Sequence, residues 1–179
     1  MLEFFAKLKL NSIINKNPTK QTKRFLCWND ISSMAIIIES NKNLNKNNLD
    51  KFIEKTGKYV EVFYVETNNK QATFGDWNCF TKKDLTFLKL PKSETILSLK
   101  TKQFDLVINT CNDTNLFAAG LNNYLTSTFK CGLSNAYNDT DLIISKKESY
   151  DLPLYLTDIS NYLKMIFDNK FLYSLINQY

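Results

Sequence analysis

The side chains best placed to bind or transform a ligand gather where three apolar runs stop. Glu39-Ser40-Asn41 follows SMAIII, Glu66-Thr67-Asn68 follows YVEVFYV, and Asn109-Thr110-Cys111-Asn112-Asp113 follows FDLVI. If those runs are parallel strands, these are their carboxyl ends, where open α/β sheets hold ligands. Ser40, Asn68, Asn109, Thr110 and Asp113 are therefore the candidate ligand-binding residues. Asp113 with Glu39 or Glu66 is the kind of carboxylate pair that acid–base chemistry uses, provided the strands are neighbours. The same residue types also build ordinary loops and helix caps.

Several chemistries are excluded or disfavoured by composition. The chain has no histidine, so Cys111, at a strand end before a helix, lacks the base of a Cys–His mechanism. Cys27, Cys79, Cys111 and Cys131 form no CxxC pair, and are read as reduced thiols acting as small hydrophobes. No glycine-rich phosphate loop follows the first strand, which argues against a dinucleotide enzyme. Glycine occurs only at 57, 75, 120 and 132; Gly120, beside Ala118 and Ala119, is read as letting a helix lie close to the sheet. No catalytic residue, metal or cofactor is assigned.

Charge singles out the amino-terminal segment. Residues 1–24 hold Lys7, Lys9, Lys16, Lys20, Lys23 and Arg24 against one acid, Glu3, while the rest of the chain is neutral, so the net charge of +5 belongs to this segment. Lys16, Lys20, Lys23 and Arg24, followed by Phe25 and Trp28, form a basic arm with aromatics, a pattern suited to RNA, a ribosomal surface or an anionic membrane. A solvated helix face and linker gives the same pattern. Phe74 and Trp77, around Gly75-Asp76, are candidate anchors for a protein partner or a second copy of the chain; rings in such a turn also serve to cover a core edge.

The elements that must position these residues follow from apolar spacing. Met1–Asn15 is an amphipathic helix ended by Asn17-Pro18. Ser33–Glu39 and Tyr59–Glu66 are strands, with a helix through Leu49–Lys55 between them and Gly57 closing it. Residues 67–90 read as a long loop with one short strand. Ser93 caps a helix containing Ile96 and Leu97. The stretch 102–134 is a strand, a helix capped by Asn112, Asp113 or Thr114, and a returning strand: a βαβ unit, which implies a parallel sheet. A short strand at Leu142–Ile144 and a terminal helix from Leu154 to Phe167 complete the order, and Phe171–Ile176 either extends that helix or forms another.

The expected fold is α/β: a three-layer, Rossmann-like, mostly parallel sheet of about five strands with an amino-terminal amphipathic helix. Residues 1–28 are expected to form a basic helix and linker, and 29–179 a single α/β domain. No run of ~18 apolar residues crosses a bilayer and no signal peptide pattern is present, so the cytosol is the expected compartment.

Leu90-Pro91-Lys92, the Phe104–Asn109 strand, Phe129-Lys130-Cys131-Gly132, Tyr150-Asp151-Leu152 and Tyr162-Leu163-Lys164 resemble an uncharacterised family of short bacterial α/β proteins, chiefly from the Bacteroidetes. The Asp-Leu-Val-Ile strand, with a helix and a short strand ending in glycine, is more distantly similar to the first half of heptosyltransferase-like glycosyltransferases. The glycine-aspartate turn of those enzymes is absent at Ser40-Asn41, and the resemblance brings no site residue. The leading expectation is a binding or interaction module working through its basic arm. The alternative is a small-ligand binder or degenerate glycosyltransferase-like enzyme working at the strand ends.

Overall fold

A computed structural model of the chain describes residues 1–16, 26–40, 44–66, 74–112, 114–133, 139–145 and 151–176. Six strands form one sheet: β1 (Ser33–Glu39), β2 (Tyr59–Val65), β3 (Asn78–Phe80), β4 (Gln103–Asn109), β5 (Thr126–Gly132) and β6 (Leu142–Ile143). Their spatial order is β3-β2-β1-β4-β5-β6, and every neighbouring pair is parallel. The helices are α1 (Leu2–Lys16), α2 (Lys46–Thr56), α3 (Ser93–Lys100), α4 (Leu116–Tyr124) and α5 (Leu152–Ile176).

Side-chain alternation along the strands builds two cores. Met34, Ile36 and Ile38 of β1, with Val62 and Tyr64 of β2, point to one face and meet Leu49 of α2 and Tyr155, Leu156, Ile159 and Leu163 of α5. Ala35 and Ile37, with Phe63 and Val65, point to the other and meet Leu99 of α3 and Phe117, Ala118 and Leu121 of α4. Burial on both faces explains why the central strands read as continuous apolar runs. The first crossover, through α2, covers one face and the crossover through α4 covers the other. This follows from building outward in both directions from β1 and β4 with one handedness of connection.

Outside α4 lies a further layer. Ala6 and Leu10 of α1 are fully buried in a third cluster with Leu90, Leu116 and Ala119. Covered by the sheet on one side and by α1 on the other, α4 is buried from Leu116 to Asn123. Its small residues divide the work, with Ala118 toward the sheet and Ala119 toward α1.

Several boundaries differ from the sequence reading. The expected α/β sheet is present, with six strands among the described residues, all parallel. Residues described between 74 and 90 are more ordered than a long loop. They hold β3, a 3-10 turn at Lys82–Asp84 closed by a reciprocal Thr81–Asp84 capping box, and an antiparallel bridge between Leu85 and Pro91. The cap of α4 is Asn115, whose side-chain oxygen accepts from the Ala118 amide at 3.0 Å, not Asn112 or Thr114. Lys92 precedes α3 as its cap residue, and Ser93 is the first helical residue. The terminal helix runs unbroken to Ile176. The close approach at Gly120 is to Pro91, not to the sheet.

Candidate functional site

The chain order reverses between β1 and β4, and the carboxyl ends of these central strands open at that reversal. A cavity of about 450 Å³ lies there, lined by Glu39 at the end of β1, Val65 and Glu66 at the end of β2, Thr114–Phe117 at the start of α4, and Lys82, Leu85, Thr86 and Lys89 from the segment before α3. Such a volume suits a small molecule. The floor is apolar through Val65, Leu85, Leu116 and Phe117, and two acids and two lysines bring charges of both signs.

The acids are held in place. Asn115 donates its side-chain amide to Glu39 Oε2 at 2.9 Å, and Asn112 approaches Oε1 at 3.4 Å, so Glu39 ties the end of β1 to the start of α4. Asn115 therefore has two roles, capping the helix through its oxygen and fixing the carboxylate through its nitrogen. Glu66 is buried and accepts from the Tyr64 hydroxyl at 3.2 Å. Burial first, and the nearby Glu66 carboxylate second, push the Tyr64 phenol up to about 12, which keeps it a donor at neutral pH.

The basic wall comes from a strained turn. Lys89 has φ of 59°, in the left-handed region that ordinary side chains avoid, and is the one non-glycine residue with positive φ among those described. The turn is fixed at both ends, with the Thr86 amide donating to Leu90 O at 2.8 Å and the Lys89 amide to Thr86 O at 2.9 Å.

Of the residues expected at the rim, Ser40, Asn109 and Thr110 are described and do not line this cavity. The Ser40 amide continues the ladder to Val65 O at 2.9 Å. Asn109 is buried, and its side-chain oxygen accepts from the Cys111 amide at 3.0 Å. Both the amide and the hydroxyl of Thr110 donate to Ile37 O at 3.0 Å. Asn68 and Asp113 lie outside the described residues, as do Lys20, Lys23 and Arg24 of the basic arm, while the backbone of Lys16 ends α1. Cys111 is buried against Ile37 O, and burial first, then Glu39, raises its thiol well above the ordinary value, away from nucleophilic use. Glu39, Glu66 and Asn115 line the cavity instead. The signal for the acids was their position at strand ends; that for Lys82 and Lys89 was absent, because only the fold carries their segment back over β2 and α4.

Phe74 and Trp77 form an aromatic edge to the core. Their rings are 4.8 Å apart, and Tyr64 meets them at 4.8 and 6.2 Å. Both are half-buried against the α2–α5 core, and the Lys46 ammonium stands 5.3 Å from the Trp77 ring centre. Among the described residues no group of three or more acids and cysteines is placed to hold a metal ion, and no helix is long and apolar enough to cross a membrane.

These features define a three-layer α/β domain with a ligand-sized cavity at the point where its strand order reverses. The chain belongs to a family of unknown function, DUF6913, whose pattern matches residues 3–166 and so takes in α1 as well as the whole sheet. No curated protein and no solved structure matches it.

Proposed function

We propose that the protein is a small-ligand-binding α/β domain whose site is the cavity between Glu39, Glu66, Lys82 and Lys89. The observation that carries this reading is the meeting of two acids from strand ends with two lysines from the 82–89 segment around a partly apolar, ligand-sized space. Charges of both signs suit a compact zwitterion of amino-acid type, its cationic group toward the carboxylates and its anionic group toward the ammonium groups. The resemblance to heptosyltransferase-like enzymes read from the sequence would also place a site at the strand ends, and it brings no catalytic residue. The domain is therefore read as a binder.

Thermal denaturation across panels of amino acids, sugars and nucleotides tests this. A zwitterion is expected to raise the melting temperature, since a ligand at ~100 times its Kd adds ~2.7 kcal/mol. Glu66→Gln and Lys82→Met should each remove that shift while leaving the unliganded fold intact. A panel without any stabilising compound, or equal stabilisation of both variants, overturns the reading.

A second reading, contact with RNA or a ribosome through Lys16, Lys20, Lys23 and Arg24, is favoured by the confinement of the net charge to residues 1–24. It requires binding that weakens steeply with salt. Equal RNA binding by a chain lacking residues 1–24 would remove it.

A further inference from the structure

The cavity at the strand ends has a neighbour. A second hollow, of about 660 Å³, lies between the first residues of the chain, Met1, Leu2 and Glu3, and Phe87 and Leu88 of the strained turn. Lys89, Thr114 and Leu116 line both spaces, so the two share one wall.

Their chemistry differs. Glu39, Glu66 and Lys82 belong to the first space alone. The second is mainly apolar, through Met1, Leu2, Phe87, Leu88 and Leu116. Its acid, Glu3, is already paired with Lys7 at 2.6 Å. The apolar lining is also bare: Phe87 is 79% exposed and Leu2 59%, whereas Leu88 of the same turn packs against the cluster between α1 and α4. Large apolar side chains left open around a concavity mark a place that receives apolar material.

The shared wall says which material. Leu116 is part of the apolar floor of the first space and part of the lining of the second, so an apolar surface runs from one to the other. Lys89 stands at the same border with its φ of 59°, and backbone strain of this kind gathers at ligand clamps. One turn thus carries a cation that faces both spaces and a phenylalanine that faces only the second.

We propose that the two spaces form one binding site for an amphiphile, an α-amino acid whose headgroup lies between Glu39, Glu66 and Lys82 and whose unbranched apolar tail passes Leu116 and Lys89 into the hollow between Phe87 and Leu2. This rests on the zwitterion reading of the first cavity and adds the tail to it.

Calorimetric titration of the full chain with alanine, 2-aminohexanoic acid and 2-aminodecanoic acid, each below its micelle concentration, tests the tail. Affinity should rise about two- to fourfold per added methylene. Phe87→Ser with Leu2→Ser should flatten that rise at an unchanged melting temperature of the unliganded protein. Decanoic acid, which lacks the ammonium group, should bind about tenfold more weakly than 2-aminodecanoic acid. If alanine binds and the longer acids bind no better, the zwitterion site stands and the tail site is overturned. A rise that persists in the double variant overturns it too, because the tail then lies within the first cavity. Equal binding of decanoic and 2-aminodecanoic acids overturns the amphiphile in favour of a plain fatty acid. If no member of the series binds, this inference and the reading it rests on fall together.

Discussion

A methyl group built on Gly120 would lie 2.5 Å from Cδ and 2.9 Å from Cγ of Pro91. Both atoms belong to a ring, and the ring is fixed between the Leu85–Pro91 bridge and the start of α3. Neither side can yield cheaply. Gly120→Ala should therefore destabilise the protein by about 1–3 kcal/mol, despite alanine's better helix propensity. Denaturant unfolding measures it, and a stabilised variant would show that the 85–91 turn moves freely against α4.

The Lys89 conformation gives a prediction of opposite sign. A left-handed lysine costs ~1–2 kcal/mol, which glycine relieves while losing some chain entropy. Lys89→Gly should raise stability by about 0.5 kcal/mol, whereas Lys89→Val should lower it by more than about 1 kcal/mol. If both variants are destabilised equally, the lysine stem packs more than its backbone strains. Either variant should also weaken zwitterion binding in the cavity.

Glu61 links stability to pH. Burial pushes its carboxyl up, but hydrogen bonds from Lys102, Tyr59 and Asn78 together outweigh burial and hold it below its ordinary value of 4.5. A depressed folded-state value means that the stabilisation is complete above the unfolded value and is lost as pH falls through the folded one. The stability difference between the protein and Glu61→Gln should be constant near neutrality and shrink below about pH 4.5. A difference that grows in acid would contradict the assigned network.

The thiols should divide by burial. Cys131 is buried and raised to about 12, mainly by desolvation, and burial likewise raises Cys111 well above its ordinary value. Neither should react with an alkylating reagent at mildly alkaline pH until the protein unfolds. Peptide mapping after native labelling checks this, and modification of Cys111 in the folded state would mean that the end of β4 opens.

Asn122 is fully buried, and among the described residues neither Nδ2 nor Oδ1 of its side chain has a partner, although its backbone oxygen accepts from Lys130 Nζ. An unpaired buried amide costs ~1–3 kcal/mol, and leucine has nearly the same shape. Asn122→Leu should therefore stabilise the fold by about 1 kcal/mol or more. A marked loss would show that the amide is satisfied from outside these residues.

The parallel sheet was legible because β1, β2 and β4 are apolar on two faces and the runs are separated by helical spacing, which crossovers through covering helices satisfy. Gly57 announced its own role too, since the left-handed end of α2, at φ 62°, suits glycine. The strand ends also carried Glu39 and Glu66 in plain view. Of the edge strands, β6 was legible as the short apolar run at Leu142–Ile144. The position of β3 was not: three residues long, it is too short to carry a period and pairs along the open edge of β2. In the sequence, Asp105 is the one charged residue in the apolar run FDLVI. In the fold its carboxylate accepts from the Ser32 and Ser33 amides at 2.8 and 2.9 Å, pinning the start of β1 to β4 across more than seventy residues of sequence. Apolar periodicity is a local property and fixed the layers; the cavity and the hollow beside it are products of which distant segments come to lie side by side, and that only the tertiary structure decided.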